Sequence, residues 1–239
     1  MGKRYFDNSQ LSERIKIADG KMLGVEPEYK FGAVPEMSVS TSGSIWDIND
    51  TFYPWASLDS DGPGVIAIDR ANSSDANKNV TVFGLDSDYN PIQDTVTLTN
   101  PTDNLSSIGF SRVWRGWVSD GDNIGDITIK REGTPVARIL AGNSQTLMAV
   151  YTIPAGKTGF LVKCHFTAAS GADASGHVFV RVPGSGAFRN KHTCEFAVGT
   201  SPYEWAIPLP IPEKSDIDFR ADARTNNGRY TATYELILL

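Results

Sequence analysis

"NVTVFGLDSDYNPIQDTVTLTN" runs from Asn79 to Asn100. Its middle begins as a calcium loop would, with Asp86, Asp88 and Asn90 two residues apart and Asp94 four further on. An EF-hand loop opening at Asp86 needs Gly at its sixth place and Glu at its twelfth. Pro91 and Thr97 stand there instead. On both sides the apolar period is two, so the flanks are strands rather than helices. Asp, Asn and Pro are turn formers with known mechanisms. The stretch therefore reads as strand, turn, strand, and the fold as β.

The same reading extends outward from there. "FSRVWRGWV" (110–118), "GDITIKRE" (125–132) and "PVARILA" (135–141) alternate or nearly so, between Gly, Pro, Asn and Asp. "QTLMAVYTI", "TGFLVKCHFTA", "GHVFVRV", "HTCEFAV", "EWAIPLPI", "SDIDFRADA" and "RYTATYELILL" continue the pattern. In the last of these Tyr230, Ala232, Tyr234, Leu236 and Leu238 share one face. Strands at this spacing, without long helical patterns, predict an all-β chain of one or two antiparallel sandwich or jelly-roll domains. A boundary near residues 141–145 divides it into 41–143 and 144–239; one continuous two-sheet domain is the alternative.

Residues 1–40 read differently. "SQLSERIKIADGK" sets Leu11, Ile15 and Ala18 at helical spacing with Gly20 as a stop. Beyond it, Pro27, Gly32 and Pro35 interrupt a segment carrying Tyr29 and Phe31. This predicts an extended N-terminal arm with a short helix, able to reach about 130 Å if stretched.

The 239 residues carry a net charge of −6, with 40% apolar and 21% charged residues. That balance suits a soluble body and argues against a general nucleic-acid binder, which needs a basic face. No apolar run is long enough to span a bilayer, so no membrane partner is expected. "MGKRYFDNSQ" has basic residues without a hydrophobic stretch behind them, which predicts folding in a cytoplasm. Cys164 and Cys194 alternate with apolar neighbours and read as buried free thiols. His165, His177 and His192 belong to no catalytic motif. No enzyme activity and no cofactor are expected. Asp59 with Asp61, and Asp120 with Asp122, repeat the acidic spacing; gathered at one end of a sandwich they could hold Ca²⁺ loosely.

The aromatic residues are more informative. Trp114 and Trp117 flank Arg115 and fall on opposite faces of a strand by parity, unless a bulge at Gly116 resets the register. One of the two must then cover something other than the core. Trp, Tyr and Arg are the usual interface anchors. Leu11, Ile15, Tyr29, Phe31, Trp114 and Trp117 are the candidate interface residues.

Several stretches resemble a family of virion structural proteins of tailed bacteriophages, especially phages of marine bacteria. They are "EYKFGAVPEMSVSTSGSIWD" (28–47), "VTVFGLDSDYNPIQDTVTLTN" (80–100), "FSRVWRGWV" with "GDNIGDITIK", "ILAGNSQTLMAVYTIPAGKTGFLVK" (139–163), and the closing "AIPLPIPEKSDIDFRADARTNNGRYTATYELILL". The resemblance covers roughly residues 25–239. It implies a β-rich, non-enzymatic part of the phage particle, assembled in the host bacterial cytoplasm. The expected partners are capsid, neck or tail subunits and further copies of the chain, with a trimer as the expected homo-oligomer. A capsid-decorating or head-fibre protein anchored by its arm is the first expectation. A neck or tail component, or a host-contacting carbohydrate-binding adhesion module, is the alternative.

Overall fold

The computed structural model describes residues 13–48 and 50–239, and it is all-β. Strands β1 (Glu26–Met37), β2 (Ser42–Ser44), β10 (Val150–Thr152), β11 (Gly159–Arg181), β12 (Arg189–Ile211), β13 (Asp216–Ala223) and β14 (Gly228–Leu238) form one hydrogen-bonded, antiparallel set. This set is a sandwich, because β11 and β12 pass from one layer to the other. Residues 159–168 of β11 pair with β14, and residues 174–181 pair with β13. The register breaks between Ala168 and Asp173, and Gly171 supplies the left-handed corner at φ 79°. The two layers meet across the core. A Cβ on Gly176 would lie 2.7 Å from the Phe166 ring of the opposite half. Phe219 stacks between Phe166 and Tyr234, at ring separations of 5.5 and 4.2 Å. The face predicted for β14 is the buried one: Tyr230, Ala232, Tyr234, Leu236 and Leu238 are all in this core.

Seven further strands make a second, smaller sandwich. β3 (Gly64–Arg70), β6 (Asn104–Phe110), β8 (Ile127–Arg131) and β9 (Thr134–Ile139) form one sheet in the order β6-β3-β8-β9. β4 (Asn79–Leu85), β5 (Pro91–Thr97) and β7 (Arg112–Val118) form the other, with β4 central. Helix α2 (Trp55–Ser60) feeds Trp55 and Leu58 into the same core.

The two cores do not divide the chain at one point. Leu85 and Trp114 belong to the larger core, whereas Met148 and Val150 belong to the smaller one. The device is a bulge. Phe83 faces Arg115 and Gly84 faces Val113, so Trp114 is the extra residue, and the register resets there rather than at Gly116. Adjacent Val113 and Trp114 can then enter different cores.

The N-terminal region departs from the sequence reading. Helix α1 (Glu13–Ala18) forms and stops at Gly20, φ 64°, as expected. Residues 26–37, however, are an edge strand of the large sandwich, not a free arm: β1 pairs with β14 from Glu26↔Leu238 to Met37↔Gly228. The prolines fit this place. Pro27 opens an edge strand, and Pro35 falls where the register shifts between Val34 and Met37. Gly32 is required by close approach, since a Cβ there would lie 2.3 Å from the Ala149 amide nitrogen and 2.4 Å from the Ile45 carbonyl oxygen.

Candidate interaction surface and the seam beneath it

Three of the six predicted interface residues meet in one place. β1 turns Lys30, Gly32 and Val34 inward, so Tyr29 and Phe31 face outward by the period of two. β7 brings Trp117 to the same side, and an isolated bridge pairs Trp117 with Gln145. Tyr29, Phe31, Arg115, Trp117, Gln145, Pro27 and Glu28 line one open groove of about 310 Å³. Tyr29 is 54% exposed and Trp117 37%. Both walls are held. The Trp117 ring lies 4.3 Å from the Phe83 ring. Arg115 Nη2 donates to Glu28 Oε1 at 3.1 Å and to the Tyr29 carbonyl at 3.0 Å.

The other candidates separate. Trp114 is buried against Tyr151, ring centroids 5.0 Å apart, so it is core and not interface. The bulge moves it inward, which strand parity alone cannot show. Ile15 is 50% exposed on α1; its neighbour Ile17 is the residue that reaches the body, beside Pro27 and Tyr29. Leu11 lies outside the described residues.

Beneath the groove runs the seam between the sandwiches. Lys30 is buried, donates from Nζ to the Trp114 carbonyl at 2.5 Å and lies 5.8 Å from the Tyr151 ring centroid. Burial, reinforced by Arg115, lowers its pKa to about 7 against the opposing pull of Glu28. Tyr53 Oη donates to the Val113 carbonyl at 2.7 Å, and Trp55 Nε1 donates to the fully buried Asp218 at 3.0 Å. Burial raises the Asp218 pKa. Farther along stands a closed ring of four charges. Arg112 Nε donates to Asp216 Oδ1 (3.1 Å) and its Nη2 to Asp59 Oδ1 (2.6 Å). Arg181 Nη1 donates to Asp59 Oδ2 (2.6 Å) and its Nη2 to Asp216 Oδ2 (2.5 Å). Both guanidinium groups stand over the Trp55 ring, 5.7 and 5.8 Å from its centroid. Burial opposes the charge on Arg112, yet Asp216 and Asp59 beside it hold its pKa above the ordinary value. The ring joins β7 of the small sandwich to β11 and β13 of the large one.

The acidic pairs are thus engaged. Asp59 is in the ring and Asp61 lies near Arg131. Asp120 accepts from Asn79, and Asp122 Oδ1 accepts from Ser144 Oγ. Asp86 closes its own turn: Oδ1 accepts from the Asp88 and Asn90 amides, both at 2.8 Å. Desolvation pushes its pKa up, but these hydrogen bonds together outweigh it and hold the carboxyl below its ordinary value. Among the described residues no three His, Cys, Asp or Glu side chains gather as a metal site would require. Cys164 is buried and Cys194 half-buried, and both are free thiols.

One constellation escaped the sequence reading. Thr193 Oγ1 lies 3.1 Å from His177 Nδ1, and His177 Nε2 lies 2.9 Å from Asp222 Oδ2. It has the order of a hydroxyl–imidazole–carboxylate relay. Its origin is the register: His177 faces Thr193 across β11–β12, and β13 lies on the other side. The three groups stand on an open sheet face as a cross-strand ladder.

No family model matches this chain, and no curated protein does. Among solved structures, one of the Gt strain of infectious bursal disease virus is similar over 90% of this chain and 71% of that chain, with 11% identity and a TM-score of 0.21. The VP2 subviral particle of infectious bursal disease virus shows 10% identity and a TM-score of 0.21 over the same shares. Likeness at this level carries no argument about this chain.

Proposed function

We propose that the chain is a structural subunit of a tailed-phage virion, of capsid-decorating or head-fibre type, anchored through its N-terminal segment to other virion proteins and assembled with further copies of itself in the host cytoplasm. The observation that carries this reading is the seam. Arg112, Arg181, Asp59 and Asp216 are committed to clamping two β-sandwiches into one body, which is what a part of a shell needs. The family resemblance over residues 25–239 supports the same reading. The anchor is the region before Glu26, because β1 is part of the body.

The test is incorporation. Particles grown with a chain lacking residues 1–24 should contain none of it, while the purified truncated protein keeps its β-sheet circular dichroism. Truncated protein at full copy number in particles would refute the anchor. Imaging of intact particles would separate a site on the capsid shell from one at the neck or tail.

A second reading, a host-contacting carbohydrate-binding module, is favoured by the Tyr29–Trp117 groove.

A further inference from the structure

We infer that the groove between β1 and β7 is a binding site for a neutral saccharide, one or two sugar rings in size. The inference rests on the second reading above and gives it a site and a ligand class.

The groove offers the two things a sugar ring presents surfaces for. Trp117, Tyr29 and Phe31 supply aromatic faces, against which the apolar C–H face of a pyranose can lie. Between them stand polar groups with unused capacity. Arg115 engages only one oxygen of Glu28, which leaves Oε2 as an acceptor. The Gln145 carboxamide and the Tyr29 hydroxyl have no protein partner among the described residues. An amide and a phenol each donate and accept, and a carboxylate accepts. Vicinal hydroxyls need that mixture.

Size and charge narrow the class. A groove of about 310 Å³ is at the lower end for small-molecule sites, and aromatic rings, an amide, a carboxylate and a guanidinium line it together. Standard protein interfaces take about 800 Å² from each partner, much more than this groove offers. Arg115 is already neutralised by Glu28 and bonded to the Tyr29 carbonyl, so no free cation calls for an acidic sugar. The site is also preorganised. Phe83 fixes the Trp117 ring, the Trp117–Gln145 bridge holds the residue-145 segment against β7, and Arg115 ties β7 to β1 through Glu28 and the Tyr29 carbonyl. Little ordering cost then falls on the ligand.

The experiment uses the full chain. Its binding is read on an array of neutral and acidic glycans. It is also read by saturation-transfer NMR with methyl glucoside, galactoside and mannoside, and with maltose, cellobiose and lactose. The expected result is binding to at least one neutral saccharide. Trp117→Ala should weaken it by about tenfold or more, and Gln145→Leu by several-fold. Phe52→Ala, on a different exposed site, should leave it unchanged. If Trp117→Ala perturbs the fold, Gln145→Leu and Tyr29→Phe decide, since both keep the packing. Binding to acidic glycans alone, or neutral binding indifferent to all three groove substitutions, would overturn this site and ligand class while leaving the module reading; no bound glycan at all would overturn both. Incorporation into particles is read separately. Trp117→Ala protein that assembles at normal copy number but binds no glycan separates this site from the structural role.

Discussion

Replacing Asp216 by Asn tests whether the charge ring clamps the two sandwiches. Asp216 is 4% exposed and accepts from four donors: Arg112 Nε (3.1 Å), Arg181 Nε (3.0 Å) and Nη2 (2.5 Å), and Thr152 Oγ1 (2.6 Å). Asn keeps the shape but removes the charge and turns one acceptor into a donor aimed at guanidinium N–H groups. Arg112, 5% exposed, then keeps one charged partner, the outer carboxylate of Asp59, beside its bond to the Ser111 carbonyl. Breaking a buried pair from one side costs about 3–5 kcal/mol. Asp59 completes the same ring but is 39% exposed, so solvent replaces much of what Asp59→Asn removes. An exposed pair is worth about 0.2–1 kcal/mol. The two substitutions should therefore differ by about 2 kcal/mol or more, although each deletes one carboxylate of the same ring. With a urea dependence of about 3 kcal/mol per M for a chain of this length, Asp216→Asn should lower the midpoint by about 1 M. Tryptophan fluorescence is the natural signal, since Trp55 lies under both arginines. Equal and small losses for the two variants would show that the ring holds nothing, and the seam would then rest on apolar packing alone.

Other expectations follow from neighbouring features. Gly32→Ala should destabilise by about 3 kcal/mol or more, because backbone on two sides meets the new methyl group, and a thermal melt would show it. Removing residues 1–24 should leave the melt nearly unchanged. Removing residues 1–37 should give aggregation, by stripping Val34 and Met37 from the core and baring β14; light scattering distinguishes the two. Lys30, lowered from 10.5 to about 7, binds fewer protons folded than unfolded between those values, so its contribution to stability rises with pH through that window. Lys30→Met should flatten the urea midpoint against pH there. Asp47 has the opposite sign. Burial raises it from 3.8 to about 8, so the folded chain holds a proton the unfolded chain has lost, and stability falls as pH rises between those values. Asp47→Asn should remove that fall, and an unchanged slope in either variant would refute the corresponding assignment.

The strand content was legible because a half-buried strand writes its burial into a period of two. β4 falls on residues 79–85 as read, and β14 buries the face its alternation names. What periodicity cannot show is continuity through a corner. "TGFLVKCHFTA" and "GHVFVRV" read as two strands because Ala169–Asp173 breaks the alternation, yet β11 runs through that break into the other layer. The same holds for β12, where Val198 and Gly199 take positive φ at the corner. Residues 26–37 leave the expected arm for a related reason. Gly32 and Pro35 look like interruptions locally, but one is imposed by the backbones of Ile45 and Ala149 and the other sits at a bulge on a sheet edge.

The groove divides in the same way. Tyr29 and Phe31 were visible as aromatics on a segment read as an arm, and Trp117 as one of two tryptophans that could not both enter one core; aromatic content is a local property. Glu28, Arg115 and Gln145 were not visible, because their role exists only where β1, β7 and the residue-145 segment meet. Trp114 shows the limit most directly. Parity set it opposite Trp117, but as the single inserted residue of a bulge it faces a second core rather than solvent. In a chain with two cores, an aromatic that cannot enter the first is not thereby an interface residue. Exposure has to be read after the second core is filled, and by that criterion Trp117 remains and Trp114 does not.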